Sequence, residues 1–174
     1  MKEPASPENL PHSTPLAQSH PWRFYVLAGV LLLLDQLSKY LAATSLAPGH
    51  SLPVLGPVLS LTLSYNSGTA MGLLPMAGRS LAIVAAVFAL VLLVWGRRYA
   101  AQHPWLGWGC GLLLGGAVGN LTDRVRFGYV VDFLDLHVWP VFNVADVGVV
   151  CGAALIVLHV AFNPSHRPSG CRRS

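Results

Sequence analysis

The feature that most constrains this chain is a set of apolar stretches too long and too unbroken for a water-soluble core. Phe24–Leu34 carries no polar side chain except the Tyr25 hydroxyl and lies within a first segment spanning about residues 22–46. Three more segments follow near 80–96, 105–121 and 144–162. Crossing about 30 Å of hydrocarbon takes roughly 20 helical residues, a length that each segment approaches. Only 10% of the residues are charged and 53% are hydrophobic, whereas about a quarter of a soluble domain is charged. The solvent for this chain is therefore lipid. In lipid the backbone must satisfy its own polar groups, so the segments are read as helices. The expected fold is a membrane all-α bundle of four transmembrane helices.

The connections extend this reading. Residues 1–21 hold Pro4, Pro7, Pro11, Pro15 and Pro21 among polar residues, which predicts a disordered leader. Residues 22–163 form one membrane-embedded domain, and 164–174 are a basic tail. An apolar core followed by Ala42-Ala43-Thr44 has some likeness to a cleaved signal peptide, but Asp35 and Lys39 interrupt it, so a retained helix is expected. Arg97 and Arg98 lie between the second and third segments, and Arg167, Arg172 and Arg173 follow the fourth. The positive-inside rule then places both termini and the 97–104 loop in the cytoplasm, with 47–79 and 122–143 outside. Lys39 and Arg79 run against that assignment. Within 47–79, Leu59–Tyr65 alternates in polarity beside Pro53, Gly56 and Pro57, which predicts short strands in a small extracytoplasmic sheet.

Eleven Lys and Arg against seven Asp and Glu give +4, but the basic residues cluster at segment ends. They form no stripe for nucleic acid, so no such partner is expected. Cys110, Cys151 and Cys171 make no CxxC or Cys/His pattern and are read as apolar or tail thiols. The seven histidines are scattered without metal-binding spacing. No metal and no cofactor are expected.

Against this background the acids stand out. Asp123 and Asp146 each follow an asparagine by three residues, in Asn120-Leu121-Thr122-Asp123 and Asn143-Val144-Ala145-Asp146. One lies at the outer end of the third segment and the other at the outer start of the fourth. Asp35 lies thirteen residues beyond Trp22, about 20 Å across the bilayer at 1.5 Å per residue, in the same outer zone. A charge in lipid costs at least ~2.5 kcal/mol, so such groups face the interior and serve a function. Asp35 and Lys39, at i and i+4, either neutralise each other for insertion or orient a site. Asn143 and Asp146 suit a helix cap as well as a catalytic role. Asp123 at a helix C-terminus opposes the macrodipole, whereas Asp146 at an N-terminus is favoured by it. Two nearby carboxylates sharing a proton can activate water against an amide. Gly115 and Gly119 form a small-xxx-small pair that lets helices approach closely.

Five stretches together resemble the lipoprotein signal peptidases (signal peptidase II), membrane aspartic peptidases of bacteria. They are Asp35-Gln36-Leu37-Ser38-Lys39, Asn66-Ser67-Gly68-Thr69-Ala70, Gly115 through Arg124, Val130-Val131-Asp132-Phe133 and Phe142-Asn143-Val144-Ala145-Asp146. The resemblance implies four transmembrane helices with an extracytoplasmic β-cradle. It also implies cleavage of prolipoproteins just before a diacylglyceryl cysteine, in the bacterial inner membrane. Catalysis would fall to Asp123 and Asp146, with Asn66, Asn120, Arg124 and Asn143 lining the site and Asp35 and Lys39 supporting it. Met71 stands where the family often has phenylalanine. Partners would be lipidated prolipoproteins and membrane lipid, and the enzyme would be a monomer. The alternative is a small transporter or proton pathway, for which intramembrane Asp and Lys are also suggestive.

Overall fold

The computed structural model describes residues 22–68 and 77–162. The leader at 1–21, residues 69–76 with Met71, and the tail with Cys171 lie outside the described residues. Helix α1 spans Trp22–Ser45, and strands β1 and β2 span Ser51–Leu55 and Leu59–Asn66. Helix α2, Ala77–Val91, runs through a π-helical turn at Leu92–Gly96 into α3, Arg97–Gln102. Helix α4 is Pro104–Phe127, β3 is Val130–Asp135 and α5 is Val144–Phe162.

Helix α4 is the axis of the bundle and packs against α1, α2, α3 and α5. Glycines on two of its sides make this possible. At Gly116 an added Cβ would collide with the Ala145 carbonyl oxygen of α5. At Gly119 it would lie 2.6 Å from Oδ2 of Asp35 on α1. Neither position has room for a methyl group, so the α4 backbone lies directly against the Ala145 carbonyl of α5 and the Asp35 side chain of α1. Towards the N-terminal ends of α1 and α4, Phe24, Ala28, Ala89, Leu92, Cys110, Leu113 and Leu114 form the apolar core.

The outward faces are apolar too. Leu33, Ile83, Val150 and Val160 are all exposed, as suits helices whose surroundings are hydrocarbon. Among the described residues, three helical runs are long and apolar enough to cross a membrane: Trp22–Ser45, Ser80–Ala100 and Val144–Phe162. Helix α4 has the 24 residues of α1, but its last turns carry Asn120, Asp123, Arg124 and Arg126.

Several boundaries differ from the sequence reading. The expected loop at 97–104 is helical through Gln102, and only His103 is extended before Pro104 opens α4. The third helix runs six residues beyond the expected 121, to Phe127, so Asp123 sits inside it. Gly128, at φ +81°, supplies the left-handed stop. Cys110 is buried as a small apolar group, whereas Cys151 lies on the outer surface of α5.

The sheet has the order β1-β2-β3, antiparallel throughout. Pro53 lies in edge strand β1, where its missing N–H costs least. Strand β3 belongs to the segment after α4 and pairs with β2 through Ser64↔Asp132 and Asn66↔Val130. Its Leu134 bridges to Phe142, just before α5. The sheet thus ties the end of α4 to the start of α5.

Candidate active site

The inward stripe of α1 is Phe24, Ala28, Leu31, Asp35, Lys39 and Ala42. Steps of three and four residues keep these side chains on one face, which sends Asp35 and Lys39 into the bundle, at 0% and 3% exposure. The Lys39 ammonium lies 2.9 Å from Asp35 Oδ2 and 2.9 Å from Asp123 Oδ2, and donates to Asn120 Oδ1 at 2.9 Å. All three of its donors are used. Asp35 Oδ1 accepts from the backbone N–H of Ala145 at 2.8 Å, one of the N–H groups that the first turn of α5 leaves free. Asp35 and Lys39 are thus paired with each other, and Asp35 also holds the start of α5.

Asp123 is saturated. Besides Lys39, its Oδ2 accepts from the Val131 N–H at 3.1 Å, and Oδ1 accepts from Gln36 Nε2 at 2.9 Å. Its charge is balanced by an adjacent ammonium and its lone pairs face protein donors.

Asn143 is the N-cap of α5 and Asp146 its third helical residue. The Asp146 N–H donates to Asn143 Oδ1 at 3.0 Å, and the Asn143 N–H donates to Asp146 Oδ2 at 3.2 Å. This is a reciprocal capping box with aspartate in the third position. The cap also belongs to the polar cluster. Asp146 Oδ1 accepts from Asn120 Nδ2 at 2.8 Å, and Asn143 Nδ2 donates to Asn120 Oδ1 at 3.1 Å and to Asp132 Oδ1 at 2.6 Å.

Asp132 was not singled out as a site residue by the sequence reading. On β3 it is 2% exposed, and its other oxygen accepts from Asn66 Nδ2 at 3.0 Å. Asn66 is fixed in turn by the Gly68 N–H on its Oδ1, at 2.8 Å. Burial, with a smaller push from the charge of Asp146, raises the Asp132 carboxyl to about 6 against the lowering effect of the Asn66 and Asn143 hydrogen bonds and of Lys39. Asp135, three residues on and on the other face of the strand, behaves oppositely. The His137 N–H and the Thr62 hydroxyl hold it below the usual carboxylate range.

All eight residues singled out from the sequence enter one network: Asp35, Lys39, Asn66, Asn120, Asp123, Arg124, Asn143 and Asp146. Arg124 is half-buried, donates from Nη1 to the Asn120 carbonyl at 3.3 Å, and keeps Nε buried without a hydrogen-bond partner among the described residues. Two participants were missed. Gln36 lies within a quoted motif but received no role, although it contacts Asp123. Asp132 likewise lies within a quoted motif, Val130-Val131-Asp132-Phe133, and received no role. Four carboxylates against two cations leave an excess of negative charge in this cluster.

The arrangement matches known proteins. A family model described as "Signal peptidase (SPase) II" covers residues 27–162. The lipoprotein signal peptidase of Moorella thermoacetica is 46% identical over 133 residues, 76% of this chain and 89% of that protein. That of Coxiella burnetii is 36% identical over 156 residues, covering 85% and 94%. A solved bacterial membrane enzyme superposes with a TM-score of 0.78 at 28% identity, covering 86% of this chain and 99% of that one. A family match spanning both the helical bundle and the acid cluster leads to one conclusion: this chain belongs to the signal peptidase II family.

Proposed function

We propose that this protein removes signal peptides from prolipoproteins, cleaving before a diacylglyceryl cysteine, with Asp132 and Asp146 as the reacting acids and no metal. The sequence reading paired Asp123 with Asp146. The contrast between Asp123 and Asp132 favours a different pair. The Asp123 oxygens are engaged by three donors, the Lys39 ammonium, the Gln36 amide and the Val131 N–H, all from the protein itself. Asp132 has only neutral amides on its oxygens, sits near Asp146 through their shared partner Asn143, and is held towards its protonated form. Asp123 then serves as the anchor that positions Lys39 and Asn120.

In this reading Asp146, at the positive end of α5, takes a proton from water as the water oxygen bonds to the scissile carbonyl carbon. Asp132 donates its proton towards the carbonyl oxygen, so charge does not build up in a poorly solvated site. As the tetrahedral centre collapses and the C–N bond breaks, Asp146 gives the proton it took from water to the departing amine, and Asp132 takes back a proton from a hydroxyl of the centre as the carbonyl re-forms. The free Nε–H of Arg124 is suited to hold a peptide carbonyl of the bound substrate. Titration belongs to the acid pair as a unit.

Helix α4 is the fourth transmembrane helix in this proposal. Its 24 residues span about 36 Å, and neighbours on several sides shield the polar turns that lower its hydropathy. The enzyme is a monomer in the bacterial inner membrane, bathed in lipid, with both termini cytoplasmic and the acids towards the outside. A transporter is disfavoured because the acids cluster at one level instead of being strung across the bundle.

The test compares three variants against lipidated prolipoprotein. Asp132→Asn and Asp146→Asn should each lower kcat by at least about a hundredfold, the scale of lost acid–base catalysis, while the protein stays folded. Asp123→Asn should lose stability and keep measurable turnover wherever it is folded. Chelators should have no effect. A fully stable, inactive Asp123→Asn beside an active Asp132→Asn would return the pair to Asp123 and Asp146.

A further inference from the structure

The charges of the bundle are sorted by end. All the carboxylates among the described residues, Asp35, Asp123, Asp132, Asp135 and Asp146, belong to the acid cluster or to the sheet beside it. At the opposite end stand exposed arginines, Arg23 on α1 and Arg97 and Arg98 on α3. Packing brings them together from distant parts of the chain. A Cβ added at Gly96 would lie 3.1 Å from two carbons of the Phe24 ring, so Arg23 and Arg97, which flank that contact, are neighbours. The nearest carboxylate along α1 is Asp35, twelve residues further on and about 18 Å away. Among the described residues no ion pair involves these arginines. The fold thus gathers like charges and supplies no counter-charge to them.

We infer that this arginine cluster binds the headgroup phosphate of an anionic phospholipid. Guanidinium groups suit that ligand, because their planar forks donate paired hydrogen bonds to phosphate oxygens. Their level in the bundle points to a lipid phosphate. Trp22, Trp95, Tyr99 and Trp105 are exposed at the same end, and tryptophan and tyrosine collect where hydrocarbon meets headgroups. The Arg23 guanidinium lies 5.9 Å from the centre of the Trp22 ring, its charge over the aromatic face. The same strip therefore offers rings to the acyl chains and cations to the phosphates at their ends. A zwitterionic headgroup brings its own cation and restores part of the repulsion, whereas a net negative one does not. Each arginine near such headgroups strengthens attachment about fivefold. The orientation proposed above sets this end in the cytoplasmic leaflet, and the binding depends on no assignment of the reacting acids.

The experiment reads tryptophan quenching of the full chain in mixed micelles by brominated phosphatidylglycerol or brominated phosphatidylcholine. A Trp139→Phe background leaves Trp22, Trp95, Trp105 and Trp108, all towards the arginine end. This protein should prefer phosphatidylglycerol by at least about tenfold. Arg23→Gln and Arg97→Gln should each cut that preference about fivefold, and replacing Arg23, Arg97 and Arg98 together should abolish it. Arg126→Gln, at the acid end, should leave it unchanged, and added glycerol 3-phosphate should not reverse the quenching. Equal quenching by the two lipids, an equal loss in Arg126→Gln, or displacement by glycerol 3-phosphate would overturn the lipid assignment. So would a preference that emerges only after Glu3→Gln and Glu8→Gln, because glutamates of this chain would then occupy the cluster.

Discussion

Gly119→Ala tests whether the tight contact between α4 and α1 sets the geometry of the site. The new Cβ would sit 2.6 Å from Asp35 Oδ2 and 3.3 Å from Ala145 Cβ, so it is crowded on two sides. Ordinary contact begins near 3.4 Å, which asks Asp35 to retreat by about 0.8 Å. Asp35 has nowhere to go: Oδ1 is held by Ala145 N–H at 2.8 Å and Oδ2 by Lys39 at 2.9 Å. Moving Oδ2 by that amount stretches the ion pair to about 3.7 Å, beyond hydrogen-bond reach. Overpacking costs about 1–3 kcal/mol, and weakening a buried pair adds part of the ~3–5 kcal/mol that breaking one would cost. Alanine returns about 1 kcal/mol of helix propensity. The net loss is about 2–4 kcal/mol, a fall in Tm of about 5–15 °C for a chain of this size. Thermal unfolding in detergent, followed by tryptophan fluorescence, measures this beside the cleavage rate. Gly29→Ala, with open space at its Cβ, is the control and should not lose stability. A Gly119→Ala protein with wild-type Tm and wild-type cleavage would refute the packing account.

Three further outcomes follow from the network. Lys39→Met leaves Asp35 and Asp123 buried without their cation and should destabilise the protein by about 3–5 kcal/mol, read by the same unfolding assay. Asn66→Ala removes a hydrogen bond that favours the charged form of Asp132, so the carboxyl rises further above its value of about 6. If Asp132 must be protonated to react, the alkaline limb of kcat/KM then moves to higher pH; a shift to lower pH would contradict its role as the acid. A reporter fused after residue 99 should be cytoplasmic and one inserted near Gly49 extracytoplasmic, as the arginines at 97 and 98 require.

The sequence was most legible where lipid imposes a simple rule. Helix α5 occupies the expected 144–162, and α1 differs from the expected 22–46 by one residue. Legibility declined where tertiary contacts offset local polarity. Asn120 and Asp123 look like a helix end, yet α4 continues because Lys39, Gln36 and Asp146 engage these side chains across the bundle. Arg97 and Arg98 look like a loop, yet charged residues at a membrane edge are compatible with helix. Strand β3 could not be read because Val130–Asp135 gains its partners from β2, 64 to 75 residues earlier in the chain. Asp132 stood in a quoted motif but received no role. No local pattern reports that Asn66 and Asn143 converge on it.

The capping box at Asn143 and Asp146 has a consequence in time. Asp35 comes from α1, Asp123 from α4, Asp132 from β3 and Asp146 from the first turn of α5, and the hydrogen bonds that align them cross all four elements. A nascent chain that has inserted its first helices holds isolated acids and no hydrolytic centre. Helix α5 completes its own N-terminal cap and the cluster in a single event, so the cluster cannot form before α5 is in place. A chain ending at Phe127, co-expressed with the missing piece as a separate polypeptide, should recover cleavage only when the two associate.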